Sequence, residues 1–236
     1  MPEQISYLEW LPAGDKIIFI WNEKKSDGVI KSTLNIAKPD TTGYQEIAEL
    51  WENDDIIYTS PDGLNTAFHR ADNSGSNNKL TLVSIDGKVW KDLSKDGYSY
   101  GVQWSPDSQK VLFGKRERNG RNFQLWLYDL YDGQVKNLGV YGAPQKAVWA
   151  SDSRTLYFAT PKSLTEVIDP ANVDGAQSVF TSDTFYKLDV QTMEKTEFLP
   201  DTVSIDGRDL FLNPAEDKLF FKNAQDGALY YLNLTK

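Results

Sequence analysis

Five copies of a ten-residue pattern constrain this chain more than any other feature. Each copy has a polar corner, usually with Pro, Asp, Gly or Ser, followed by a short apolar run that ends in Phe. The second residues of the copies are numbered 11, 60, 105, 150 and 213. Recurrence at such a spacing is typical of repeat architectures. The copies are Trp10–Phe19, Thr59–Phe68, Trp104–Phe113, Trp149–Phe158 and Leu212–Phe221.

Each copy predicts a strand, a tight turn and a second strand. Pro followed by Asp, Gly or Ser suits a type I turn, and the apolar run after it is typical of a buried strand. A segment that alternates with period two follows in every copy, at 33–36, 80–83, 125–130, 185–190 and 229–234. A polar turn and a weaker strand follow four of these segments. We therefore expect an all-β chain, a β-propeller of five four-stranded antiparallel blades of about 47 residues each.

The predicted organisation is a single domain over residues 1–236, with repeat units starting near 5, 55, 100, 145 and 208. The fifth unit ends without a fourth strand of its own. Its blade is therefore incomplete or closed by the N-terminus, or the chain is a fragment of a larger propeller. An open ring would expose two apolar blade faces, which would favour self-association.

Composition excludes several classes of function. The formal net charge of −9 argues against nucleic acid as a partner. The absence of Cys excludes disulfides and thiolate metal sites, and a single His leaves no cluster of imidazole ligands. No apolar run approaches the roughly 20 residues of a membrane-spanning helix, and Met1–Gln4 does not resemble a signal peptide. We expect no cofactor, no metal and no membrane insertion.

The copies at Ser60–Gly63 with Phe68, and at Trp104–Asp107 with Phe113, carry a family resemblance. They resemble the repeat of TolB-like (WSPDG-repeat, WD40-like) propellers, which also occurs in propeller domains of prolyl-oligopeptidase-type peptidases. The resemblance extends over all five units. It implies a structural repeat, a protein or peptide partner, and a bacterial periplasmic or extracellular location.

Two sequence features could suggest catalysis. Gly97–Gly101 matches the Gly-x-Ser-x-Gly nucleophile elbow, which requires a strand before the Ser and a helix after it. Here a predicted strand follows, so we interpret the segment as a loop between blades. His69, the one His of the chain, directly follows Phe68, and we expect it at the surface or rim with no catalytic role.

A basic cluster interrupts the acidic chain in the third unit. Lys115, Arg116, Arg118 and Arg121 fall in the hairpin between the second and third strands of that unit. The cluster is either a solvated hairpin tip or a docking patch for an acidic partner, because Arg can bind carboxylates in a bidentate manner.

An insertion at 161–184 is the only large departure from the repeat. It contains Asp169 and Asp174 and, near its end, Asp183, which together could suggest calcium but do not match the alternating ligand loop. Insertions in repeat proteins map to loops that are often on the binding face. We therefore include Asp169 and Asp174 among the candidate partner-binding residues.

Three tyrosines complete the candidate set. In a propeller, the hairpins between second and third strands and the connectors between blades lie at one end, which places Tyr98, Tyr100 and Tyr141 with the basic cluster. The sequence favours a non-catalytic scaffold that binds a protein or peptide there. The alternative is an accessory or gating propeller of a larger peptidase-type or carbohydrate-active enzyme.

Overall fold

The structure is a computed structural model that describes residues 4–50, 57–71, 78–88, 90–94, 98–116, 123–162, 181–198 and 204–234. The chain divides into two units, Met1–Ser99 and Tyr100–Lys236. Five antiparallel sheets account for the described strands, and within each sheet the strands are neighbours in chain order.

The first two sheets belong to the first unit. The first sheet consists of β1 (Ile5–Trp10), β2 (Ile17–Lys24), β3 (Ile30–Ala37) and β4 (Gln45–Leu50). The second sheet consists of β5 (Ile57–Thr59), β6 (Asn65–Ala71), β7 (Asn78–Ser84) and β8 (Trp90–Asp92).

The other three sheets follow from Tyr98 onward. The third sheet consists of β9 (Tyr98–Trp104), β10 (Lys110–Arg116), β11 (Gln124–Asp129) and β12 (Val135–Tyr141). A single 3₁₀ turn, Pro144–Lys146, then leads into the fourth sheet, with β13 (Ala147–Trp149), β14 (Thr155–Pro161), β15 (Asp183–Asp189) and β16 (Lys195–Glu197). The fifth sheet consists of β17 (Gly207–Leu212), β18 (Lys218–Asn223) and β19 (Leu229–Asn233).

The predicted strand order of the repeat is confirmed. Four sheets have four strands, and the fifth has three within the described residues. The first strands of the sheets start at 5, 57, 98, 147 and 207, close to the predicted starts of the units. At the N-terminus, the Gln4 carbonyl accepts a hydrogen bond from the Asn22 amide at 2.7 Å, so Gln4 extends the first sheet. The prediction of one domain over the whole chain stays a prediction.

The repeated corner has one backbone geometry despite its varied residues. In the third sheet, the Ser105 amide donates to the Lys110 carbonyl at 2.9 Å, and the Lys110 amide donates to Ser105 Oγ at 2.9 Å. Asp107 Oδ1 accepts a hydrogen bond from the Ser105 hydroxyl at 2.5 Å. The fifth residue of each copy has a left-handed backbone, namely Gly14, Gly63, Ser108, Ser153 and Glu216.

Neighbouring sheets pack through two adjacent positions of the repeat. The ninth residue of one sheet shares a buried core with the tenth residue, the Phe, of the next. The three cores that show this contain Ile18 with Phe68, Leu112 with Phe158, and Tyr157 with Phe221. In these three pairs the earlier sheet presents its ninth residue to the later one, and the later sheet presents its Phe to the earlier one.

Within the described parts of the chain, no helix is long and apolar enough to cross a membrane.

Candidate binding site at the loop end of the second unit

Several strand ends meet at one end of the second unit. We call it the loop end, where β13, β15 and β17 begin and where β10, β12 and β14 finish. Gln103 of β9 donates from Nε2 to the carbonyls of Pro144 at 2.8 Å and Ala147 at 2.9 Å. The Thr160 hydroxyl donates to the Tyr141 carbonyl at 2.6 Å. These side-chain hydrogen bonds join the third sheet to the fourth.

A buried ion cluster lies at the loop end between the fourth and fifth sheets. Lys146 closes the 3₁₀ turn, and its Nζ donates to Asp183 Oδ2 and Asp206 Oδ1, both at 2.7 Å, and to Thr181 Oγ1 at 2.9 Å. All three ammonium protons therefore have acceptors. The Lys146 side chain is 8% exposed and both carboxylates are 0% exposed.

The two carboxylates have further donors. Asp183 accepts from the Gly207 amide at 2.8 Å and from the Thr181 hydroxyl at 2.8 Å. Asp206 accepts from the Thr181 amide at 3.2 Å and forms an ion pair with Arg208 at 3.1 Å. Two cations and two carboxylates thus balance, which is how buried charge becomes tolerable.

The two carboxyls differ in their proton affinity. Burial raises the pKa of Asp183 above its ordinary value, because desolvation outweighs the attraction of Lys146. Desolvation also acts on Asp206, but Lys146 and Arg208 together outweigh it and hold the pKa of Asp206 below its ordinary value. The second cation beside Asp206 accounts for the difference.

The cluster fixes the ends of segments that carry the predicted binding loop. Thr181 and Asp183 lie near the end of the insertion, where the described residues resume at Thr181, and Asp206 directly precedes β17. Because the carboxylates are fully buried, neither can contact a substrate in this structure. The cluster therefore ties the 3₁₀ turn to the starts of β15 and β17.

The predicted cationic and aromatic residues share this end. Lys115 of β10 and Tyr141 of β12 both pair with Gln124 of β11, so the three residues form one row across the third sheet. The Lys115 ammonium lies 4.6 Å from the centre of the Trp126 ring. The Arg116 guanidinium lies 5.3 Å from the centre of the Phe123 ring. The aromatic rings hold the two cationic stems close to the sheet.

The other candidate residues are placed less completely. Tyr98 and Tyr100 lie in the first half of β9, at the loop end of the third sheet, but their side chains lie outside the described part. Outside the described residues altogether lie Arg118, Arg121, Asp169 and Asp174. Of the candidates whose side chains are described, the structure brings together Lys115, Arg116 and Tyr141.

No protein-family model and no curated protein match the chain. Solved structures match nearly all of it. The propeller domain of the Trilobed protease from Pyrococcus furiosus is 15% identical, with a TM-score of 0.64 over 100% of this chain and 70% of that one. The chain is a β-propeller. Its sheets are the blades.

Two further structures have the same fold. TolB from Acinetobacter baumannii is 16% identical, with a TM-score of 0.53 over 97% of this propeller and 51% of that chain. Oligogalacturonate lyase from Vibrio parahaemolyticus is 12% identical, with a TM-score of 0.64 over 100% of this propeller and 68% of that chain. This propeller thus spans from 51% to 70% of the three solved chains.

The Gly-x-Ser-x-Gly segment does not form a nucleophile elbow. Ser99 lies inside β9, is 2% exposed, and is followed by more strand instead of a helix. The expected loop between blades is wrong in one detail, because β9 already begins at Tyr98. Gly101 has a φ of +60°, and a Cβ there would lie 2.6 Å from Gln145 Nε2, so its glycine serves packing at the loop end.

The expectation that His69 lies at the surface or rim is wrong. His69 is in the middle of β6, half-buried, with its ring centre 5.8 Å from that of Tyr58. Its Nε2 has no hydrogen-bond partner among the described residues. Desolvation lowers the pKa of His69 to about 4, so the ring is neutral at pH 7. The cause of the error is that β6 continues three residues beyond Phe68.

A metal site is not formed by the residues that are described. Among them, no group of three or more His, Cys, Asp or Glu side chains could hold an ion. Asp183, which the sequence placed near a possible calcium loop, instead binds Lys146, Thr181 and the Gly207 amide.

Sequence reasoning missed Lys146 and Asp206. Each stands directly before the first strand of a blade, next to apolar residues such as Ala147–Trp149 and Ile205. A charged residue at the start of a buried strand was an available signal. Their pairing was not, because the partners are 60 residues apart and in different blades.

Proposed function

We propose that this propeller is a non-catalytic scaffold that binds a protein or peptide partner at its loop end. The favoured partner is an acidic segment that contains aromatic residues. The observation that carries the proposal is the row of Lys115, Gln124 and Tyr141, with Arg116 beside it, across three strands of one blade.

The chemistry of this row suits recognition of an acidic peptide. Arg and Tyr are enriched among the residues that dominate binding energy at interfaces. Lys115 and Arg116 are half-buried against Trp126 and Phe123, so their stems are already ordered before a partner arrives. Ordering in advance lowers the entropic cost of binding.

The overall charge does not oppose such a partner at physiological salt. The net charge of −9 is spread over the chain. At 0.15 M salt the screening length is about 8 Å, so charges farther away than this have little effect on a bound peptide. An acidic peptide at the loop end therefore experiences chiefly the cations beside it.

Charge reversal tests the proposal. The probe is a synthetic peptide of alternating Glu and Tyr, and its affinity is measured by fluorescence anisotropy at 0.15 M salt. We expect Lys115→Glu combined with Arg116→Glu to weaken binding at least about tenfold, which is 1.4 kcal/mol. Lys136→Glu is the matched control, since Lys136 is an exposed cation of the same blade near the start of β12. Equal affinity of the double variant and the native chain would contradict the proposal.

A second function is favoured by the partial coverage of the solved chains. This propeller matches the propeller domain of a protease and covers 68% of a lyase, so it is also compatible with an accessory or gating domain of a larger peptidase-type or carbohydrate-active enzyme. Sequencing the natural gene on both sides of the coding region distinguishes the two. A hydrolase domain in the same reading frame would favour the accessory role, and an export signal would favour the scaffold and the periplasmic or extracellular location.

A further inference from the structure

A polar groove lies between the third and fourth blades, at the end opposite the loop end. Its volume is about 510 Å³, which is within the range of pockets that bind small molecules. Each blade contributes its repeated corner, with Asp107 in the third blade and Asp152 in the fourth. Each also contributes the region where its third strand ends, with Asp129 and Val190. Two consecutive repeats thus form the groove with equivalent segments.

The two repeated corners hold the walls of the groove in place. The Asp107 amide donates to Ser153 Oγ at 2.9 Å, which joins one blade to the next. Asp107 Oδ1 accepts from the Gln109 amide at 3.0 Å. In the fourth blade, Asp152 Oδ1 accepts from the Arg154 amide in the same way, at 2.8 Å. The groove is therefore ordered before a ligand arrives, which lowers the entropic cost of binding.

The charges of the groove are already paired. Each cation that lines it among the described residues forms an ion pair with a carboxylate: Lys110 with Asp107 at 3.4 Å, Lys136 with Asp132 at 2.9 Å, and Arg154 with Asp189 at 2.5 Å. An anionic ligand would compete with these carboxylates, and a cationic ligand would compete with the cations. A neutral hydroxyl group avoids this competition, because it can bond to lone pairs and N–H groups that an ion pair leaves unused. The pairing therefore favours a neutral, polar ligand.

Both walls retain hydrogen-bonding atoms that have no partner among the described residues. Arg154 binds Asp189 through Nε and Nη2, which leaves the two N–H groups of Nη1. Asp129 Oδ1 accepts from the Tyr131 amide at 2.9 Å, which leaves Oδ2 as an acceptor. The Gln191 side chain adds an amide that can both donate and accept. Neighbouring hydroxyl groups of a sugar supply the matching donors and acceptors, and a guanidinium or carboxylate can bind two of them at once.

An aromatic ring stands beside these polar groups. Tyr131 lines the groove from the turn after β11 and is 93% exposed, so its ring offers a flat apolar face. The faces of an all-equatorial pyranose carry only axial C–H groups, which pack on such a ring through dispersion. An aromatic face beside hydroxyl-binding groups suits a sugar, because a sugar has apolar faces and polar edges.

We propose that the polar groove binds a neutral β-linked oligosaccharide. Tyr131 packs on one face of a pyranose ring, while Asp129, Arg154 and Gln191 bond to its hydroxyl groups. A β-linkage between equatorial positions keeps successive rings extended, which suits a groove formed by two blades. The site is separate from the peptide surface proposed above, because the loop end is at the opposite end of the third blade.

Backbone amide chemical shifts of the 236-residue chain test the proposal, with cellotriose and triacetylchitotriose as probes up to about 10 mM. With at least one probe we expect a Kd of about 1 mM or lower, and saturable changes at Asp129, Tyr131, Arg154 and Gln191. Tyr131→Ala is expected to weaken binding at least about tenfold. Tyr131→Phe is expected to preserve it, because the ring and not the hydroxyl makes the contact. Tyr231→Ala, at a 55% exposed position of the fifth blade, is the matched control and should bind like the native chain.

Two further comparisons isolate the groove and its preference for neutral sugars. Lys115→Glu combined with Arg116→Glu should leave sugar binding unchanged, so that failure of one site can be told from failure of the other. Cellotriuronic acid, which has the linkages of cellotriose and a carboxylate on every ring, should bind more weakly than the neutral probes. The absence of saturable changes at the groove with both neutral probes would overturn the proposal. So would native affinity in Tyr131→Ala, or tighter binding of the acidic sugar.

Discussion

At the scale of single residues, the position of each charge decides its contribution to stability. Lys146 pairs with both Asp183 and Asp206, and its side chain is 8% exposed. Arg154 pairs with Asp189 at a site where the Arg side chain is 49% exposed. Exposed pairs contribute about 0–1 kcal/mol, while breaking a buried pair costs about 3–5 kcal/mol.

Replacing each cation by Met tests this difference. We expect Lys146→Met to lower the free energy of unfolding by about 3–5 kcal/mol, because Asp183 then stays buried with no cation beside it and Asp206 keeps only Arg208. Arg154→Met, the control, should cost less than about 1 kcal/mol. Urea unfolding measures both. A loss no larger for Lys146→Met than for Arg154→Met would show that the cluster is hydrated in solution.

His69 makes stability depend on pH in a defined window. Its pKa is about 4 in the folded chain and 6.5 in the unfolded chain, so between these values the unfolded state binds more protons. Stability that is present above pH 6.5 is therefore lost as the pH falls toward 4, by about 3 kcal/mol in full. His69→Gln should remove this part of the pH dependence, as measured by urea unfolding at several pH values. Parallel pH profiles of the two chains would contradict a neutral His69 ring in the folded chain.

At the scale of the element, the repeated corner works through backbone geometry. Gly14 and Gly63 occupy the same left-handed position of the turn in the first and second blades, with φ of +73° and +70°. A Cβ at Gly14 meets nothing within 4 Å, whereas one at Gly63 lies 3.1 Å from Pro12 Cδ.

Alanine at these two positions separates strain from packing. Gly14→Ala should cost about 1–2 kcal/mol, which is the intrinsic penalty of the left-handed backbone. Gly63→Ala should cost more, because the neighbouring Pro12 ring must also move. Thermal unfolding of the two variants gives the comparison. Equal losses would indicate that Pro12 yields freely.

The corner also shows why the strands and turns of the repeat could be predicted from the sequence. Ser60 and Ser105 accept hydrogen bonds from the amide five residues on, and in the fifth blade Asn213 Oδ1 takes the same role. In the fourth blade Ala150 has no such side chain, and Asp152 accepts from the Arg154 and Thr155 amides instead. Local chemistry of this kind is readable in the sequence, because donor and acceptor are within five residues of each other.

The candidate site was less predictable for the opposite reason. Lys115, Arg116 and Tyr141 were found because they interrupt an acidic chain at a predicted hairpin and connector. Lys146 and Asp206 meet only because consecutive blades bring distant strand starts together. The position of His69 was predicted wrongly because no residue type after Phe68 indicates that β6 continues to Ala71.

At the scale of the whole molecule, the repeat connects packing with function. Each blade is held chiefly by its neighbours, so stability in such arrays is close to a sum of terms between adjacent repeats. In the second unit the same arrangement places the ends of β10, β12 and β14 and the starts of β13, β15 and β17 together at the loop end. The partner that we propose would contact side chains at those strand ends, beside the buried cluster of Lys146.

The most direct test of binding at the loop end is to record, residue by residue, the change in backbone amide chemical shifts when the Glu-Tyr peptide is added. The account predicts the largest changes at Lys115, Arg116, Gln124 and Tyr141. It predicts no comparable change at Lys110, Asp129 and Lys136, at the opposite end of the same blade. Changes confined to that opposite end, or the absence of any change at peptide concentrations that saturate the anisotropy signal, would contradict binding at the loop end.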